Sequence, residues 1–218
     1  MLENFYILTD IALLICCLYT YRALDANFKK WLPFITFSVI FGLLNVFNLL
    51  IVNKTNAWSN NLEDIIEFGF YTWFISQFDK RGRYRQKTFI ISLTIIAFSL
   101  VDIFLIQGFW KRATIAIVTQ NLFALALICN YYYNLLNDNN DEYINLVGHP
   151  PFLALTGMLF YYLAMTFYYS CFSYMVYRNN YHFYILANTL LDITSLIFNF
   201  LLSFAFICSF RKNKLSLS

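Results

Sequence analysis

Four carboxylates stand inside otherwise apolar stretches of this sequence: Asp10, Glu67, Asp102 and Asp192. A carboxylate in hydrocarbon costs at least about 2.5 kcal/mol on insertion scales. Each must be protonated, hydrogen-bonded, or used to hold a cation or a cationic ligand group. Burial alone favours the protonated form. Asn48, Gln120, Asn121 and Asn188 are the uncharged polar residues at comparable depth, and Tyr161 and Tyr168 lie seven apart, on one helix face, as do Tyr162 and Tyr169. Together these residues define a candidate binding pocket for a cation, protons or a small ligand.

Simpler roles compete at every position. Asp192, in "NTLLDITSLIFNF", can serve an interhelical hydrogen bond. The tyrosines can pack and bond to the buried acids. Glu63 and Asp64 follow Asn60 and Asn61, where acids complement a helix dipole. Asp64 and Glu67 are three apart and share a face. No Lys or Arg lies deep in an apolar run, so the intramembrane acids have no evident basic partner.

Other chemistries lack their residues. There is no GxSxG, no HExxH, no aspartate-rich diphosphate motif, no glycine-rich phosphate loop, and no lysine in the last apolar run for a Schiff base. The two histidines, His149 and His182, are expected on opposite membrane faces and so cannot share a metal. Cys16, Cys17, Cys129, Cys171 and Cys208 lie in apolar runs without CxxC spacing, which suggests neither disulfides nor zinc. No catalytic residue, metal or cofactor is therefore expected, although paired carboxylates could still serve an acid-only hydrolase.

The elements that position these groups follow from composition. Of 218 residues, 60% are hydrophobic, 21% aromatic and 12% charged, about half the charge of a soluble domain. Seven runs approach the roughly 20 apolar residues that a spanning helix needs: 5–22, 32–52, 63–78, 88–107, 113–135, 151–177 and 183–209. The fold class expected is an all-α polytopic membrane bundle of seven helices in a single domain, 1–218. The acidic start "MLENF" lacks the features of a cleaved signal peptide, so the first run is expected to be retained as a helix. No three-plus-three internal repeat is evident, which weakens a repeat-built transporter.

Loop charge orients the bundle. Arg22, Lys29 and Lys30, then Lys80, Arg81, Arg83, Arg85 and Lys87, then Arg211, Lys212 and Lys214 make 11 of the 15 basic residues on one side. Lys54, Lys111, Arg112 and Arg178 lie on the other. The loop 136–150 is an exception, with Asp138, Asp141 and Glu142 and no basic residue. The bias predicts an external N-terminus and a cytoplasmic C-terminus, and places the four acids in the outer half. A modest net charge of +3, clustered in loops, does not imply nucleic acid.

Two stretches carry a resemblance. "NNLEDIIEFGFYTWF" sets a glutamate before aromatics at a helix start, and "YYYNLLNDNNDEYINLVGHPPFLALTGMLFYYLAM" runs from an aromatic helix end through an acidic loop to proline, glycine and tyrosines. Together they resemble small seven-helix inner-membrane proteins of Bacteroidetes-type bacteria, often found near two-component sensor genes. That family often begins the sixth helix with asparagine–proline and has a tryptophan after the Phe. Here His149, Pro150, Pro151, Phe152 and Leu153 depart from the pattern. The resemblance implies a bacterial inner-membrane location, directs attention to Glu67 and the start of the sixth helix, and supplies no catalytic residue. The function expected is a sensory or signalling membrane module, its basic loop meeting a cytoplasmic partner such as a sensor kinase, or anionic lipid. A small proton- or sodium-coupled transporter is the first alternative and a lipid-modifying enzyme the second.

Overall fold

The computed structural model describes the backbone of residues 2–79, 82–137, 146–178 and 181–216, and the side chains of these except 2–6, 173 and 213–216. Lys80, Arg81, Asp138, Asp141 and Glu142 lie outside the described residues. Among the described residues there is no strand. The long helices are α1 (Leu2–Thr20), α2 (Trp31–Val46), α3 (Ala57–Ser76), α4 (Gly82–Val101), α5 (Thr114–Leu136), α6 (Pro150–Arg178) and α7 (Tyr181–Ser216). A π-helical turn, Asp102–Ile106, continues α4.

Four stretches are long and apolar enough to cross a membrane: Gly82–Ile106, Thr114–Leu136, Pro150–Phe172 and Tyr181–Lys212. Their surfaces agree with lipid as the surrounding solvent. Phe89, Leu105 and Phe200, for example, are each 60% or more exposed, a pattern costly in water. This is a helical membrane protein.

The helix ends have local causes. Pro150 and Pro151 open α6, where the missing N–H groups have no intrahelical partner to lose. The end of α2 falls short of the apolar run that contains it. Asn48 takes φ 56°, its N–H bonds to Asn45 O, and the Leu49 N–H reaches back to Leu44 O. This is a Schellman stop, which asparagine tolerates better than most side chains. Val52 and Thr55 then pair across a tight turn whose central residues, Asn53 and Lys54, both have positive φ. On α3 the helix begins at Ala57, earlier than the apolar run at 63 suggested.

The chain divides into two compact units. Residues 1–49, 139–161 and 192–218 form the first, and residues 50–138 and 162–191 the second. In the first unit α1 packs on α2. Trp31 is fully enclosed, edge-on to Phe34 at 5.8 Å and tilted against Phe198 at 6.2 Å. Tyr161 stacks on Phe198 at 5.7 Å, and Phe28 meets Phe206 edge-on at 6.0 Å. Polar ties accompany this aromatic core. The Asn199 amide donates to Asp10 Oδ1 at 2.8 Å and to Thr9 Oγ1 at 3.2 Å. The Asp25 N–H donates to Ser209 Oγ at 3.4 Å, and that hydroxyl donates to Asp25 Oδ2 at 3.3 Å. In the second unit α3 packs on α4 and α5.

At Gly157 a neighbouring backbone comes close. A Cβ there would lie 3.0 Å from Phe198 Cδ2 and 3.1 Å from Phe198 Cα. Gly157→Ala should therefore cost about 1–3 kcal/mol, as overpacking does, and lower the thermal midpoint in detergent. Gly82→Ala, where a Cβ meets nothing within 4 Å, should leave the midpoint unchanged.

Candidate functional site

The polar centre of the second unit forms around the start of α5. The first N–H groups of a helix lack intrahelical acceptors, and here side chains of neighbouring elements supply them. Asn61 of α3 accepts from the Ala113 N–H at 3.1 Å, while its own amide donates to Lys111 O at 2.8 Å. Gln107 accepts from the Thr114 N–H at 2.8 Å and donates to Thr114 Oγ1 at 3.2 Å. Asp102, fully buried, accepts from the Ala116 N–H through Oδ2 at 3.0 Å. The π turn and Gly108, at φ +94°, bend the chain so that Asp102 and Gln107 can reach these groups. One turn further along α5, Gln120 donates to Ser99 Oγ of α4 at 2.8 Å.

This corner fixes Arg112 immediately before α5. Its Nη1 lies 3.0 Å from Asp64 Oδ2, and its Nη2 donates to Asp64 Oδ1 at 3.4 Å. Nη2 also donates to the Tyr169 hydroxyl of α6, and the guanidinium lies 5.2 Å from the Tyr169 ring centre. Only 17% of the Arg112 side chain and 10% of Asp64 are exposed. Burial by itself pushes the guanidinium pKa down. Asp64 and Tyr169 more than reverse this and raise it above its ordinary value, with Glu63 adding to the effect, so Arg112 stays charged. Around this group Tyr168 meets Tyr169 edge-on at 5.0 Å and is hydrogen-bonded to Tyr184. Tyr162, edge-on to Tyr71 at 5.9 Å, senses the Glu67 charge. The guanidinium thus bonds Asp64 and feels the charge of Glu63, while Glu67 acts on Tyr162.

The sequence candidates divide between the units. Asp10, Asn48, Tyr161 and Asp192 belong to the first unit; Glu67, Asp102, Gln120, Asn121, Tyr168 and Asn188 belong to the second. Asp10, Asp102, Gln120, Asn121 and Tyr168 are buried; Glu67, Tyr161, Asn188 and Asp192 are half-buried. Asn48 is exposed at the α2 stop. The Asn121 Nδ2 and the Asp102 Oδ1 are buried without a partner among the described residues. Of the basic loop, Arg83, Arg85 and Lys87 are exposed. No group of three or more His, Cys, Asp or Glu side chains able to hold a metal occurs among the described residues.

Two assignments change. Asp64 is not a first-turn acid: α3 starts seven residues before it, and its partner is a cation. Arg112, read from the sequence only as a loop charge, is the central group of the cluster. Its position between two apolar runs concealed this; the one available signal was an aspartate and an arginine each beside the start of an apolar run. No protein-family model, curated protein or solved structure matches this chain.

Removing one partner of a buried ion pair strands the other. Arg112→Gln should lower stability by about 3 kcal/mol, read as a fall in the unfolding midpoint in detergent. Arg112→Lys should fail to restore it, since an ammonium cannot reproduce the fork or the ring contact. Asp64→Leu combined with Arg112→Met should recover most of the loss. A midpoint unmoved by Arg112→Gln would show the pair to be idle.

Proposed function

We propose that this protein is a sensory or signalling module of the bacterial inner membrane, which detects protons, a cation or a small cationic ligand at the acidic cluster of its second unit. The observation that carries the reading is the buried Asp64–Arg112–Tyr169 cluster, with the charge of Glu63 reaching Arg112 and that of Glu67 reaching Tyr162. Carboxylates in partly desolvated surroundings favour protons and cations. Arg112 also ties the start of α5 to α3 and α6, so a change in the charge it faces acts on three elements at once. On the loop-charge bias the seven helices all span, the N-terminus is external and the cluster opens outward. Arg83, Arg85 and Lys87 then present a cytoplasmic basic face to a sensor kinase or to anionic lipid.

The proton is the simplest cation to test. Trp58 and Trp110 both contact Phe109, at 6.4 Å and 5.1 Å, close in sequence to Arg112. Their fluorescence in reconstituted vesicles should change as external pH falls through the carboxylate range. Glu67→Gln should shift or abolish that transition, and Asp64→Asn should disturb the folded baseline as well. An unaltered titration in Glu67→Gln would sink the reading. Crosslinking in native membranes should additionally capture a sensor kinase.

A further inference from the structure

A cleft of about 760 Å³ separates α3 from α4 within the second unit. Its walls include Gly69, Trp73 and Ser76 of α3 and Arg85, Phe89 and Ile96 of α4. Gly69 keeps the floor low: a Cβ there would reach Ile96 Cδ1 only at 3.9 Å. From Arg85 to Ile96 the cleft follows α4 for about 16 Å at 1.5 Å per residue. That is close to the hydrocarbon depth of one leaflet, half of roughly 30 Å.

We infer that this cleft is a binding site for one anionic phospholipid, with an acyl chain lying between α3 and α4 and the phosphate at Arg85. Three observations support this occupant. The flanks of the cleft face the bilayer, since Phe89 and Ile90 are 67% and 62% exposed, so an amphiphile can enter sideways. The mouth carries a cation: Arg85 lines the cleft and is exposed, and the first turn of α4 has no acid. Such a face favours a phosphate at a helix start.

The third observation is Ser92. It lines the cleft, is 93% buried by its 7% exposure, and its hydroxyl has no partner among the described residues. Serines and threonines in apolar helices ordinarily bond back to a carbonyl one turn earlier. Thr72 does so to Phe68 O at 2.7 Å, Ser76 to Trp73 O at 2.6 Å and Ser99 to Ile95 O at 2.8 Å. Ser92 instead offers a donor to the cleft, two helical turns below Arg85. A phospholipid whose phosphate is held by Arg85 brings its ester carbonyls toward that depth. Plain hydrocarbon would leave the donor unsatisfied.

Brominated-chain lipids test the site, because Trp73 lines it. Protein in detergent is titrated with brominated phosphatidylglycerol or phosphatidylcholine, and the signal of Trp73→Phe is subtracted. Quenching should saturate at one lipid per protein, with phosphatidylglycerol favoured roughly fivefold, as expected for one basic contact. Arg85→Gln, a change at an exposed position, should bring the two lipids together. Gly69→Leu should abolish the saturable phase for both by filling the cleft, and Ser92→Leu should do the same from the opposite wall. Equal binding of both lipids by the unaltered protein, or a preference that survives Arg85→Gln, overturns the assignment. So does a stoichiometric polypeptide that excludes lipid from the cleft.

Discussion

Backbone donors at a helix start in apolar surroundings have no water to turn to, and every one left unmet is costly. The beginning of α5 answers that constraint with side chains. Asn61, Gln107 and Asp102 each take one N–H, and they come from α3, from the bend after α4 and from the π turn. Three separate segments are thereby fixed to one corner. The charge distribution follows. Asp102 complements the positive end of α5. Arg112 sits at the same end with the unfavourable sign, and this makes Asp64 and Tyr169 necessary to it. The ion pair is a consequence of how the helix start is satisfied.

The first unit meets the same demand differently. Its interior is aromatic, with Trp31 and Tyr161 both against Phe198, and polar ties accompany it. Asp10 is held by Asn199 across α1 and α7. Such an acid has a structural occupation and needs no ligand to explain it. Asp102 has one as well. The acids of α3 differ, because Asp64 and Glu63 act on a cation that itself ties three helices together. That contrast moves the proposed sensing site from four scattered acids to one helix face.

The helices were legible because apolar runs of spanning length have few other fates. Their ends were less so. Leu49, Ile51 and Val52 prolong the second apolar run, but Asn48 has already turned the backbone left-handed, a matter of φ that hydropathy does not register. Likewise α3 starts among polar residues, Asn60 and Asn61 included, since Asn61 is spent on the α5 corner. Glu67 and Asp64 could be placed on one face from spacing alone. The pairing of Asp64 with Arg112 could not, because it joins residues 48 apart through a bend set by a π turn and Gly108. Local pattern carries no trace of such a closure.

Arg112 also bears on the proposed orientation. The bias toward an external N-terminus counts basic residues as charges retained on the cytoplasmic side during insertion. Asp64 does not offset Arg112 there, because acids contribute little to that bias and the pair forms only in the folded protein. Arg112 therefore counts with Lys54, Lys111 and Arg178 on the proposed outer side, four basic residues against eleven on the other. The ion pair also lets α3 carry an aspartate, and the residue before α5 an arginine, into largely enclosed surroundings. One ion pair thus joins the start of α5 to the middle of α3.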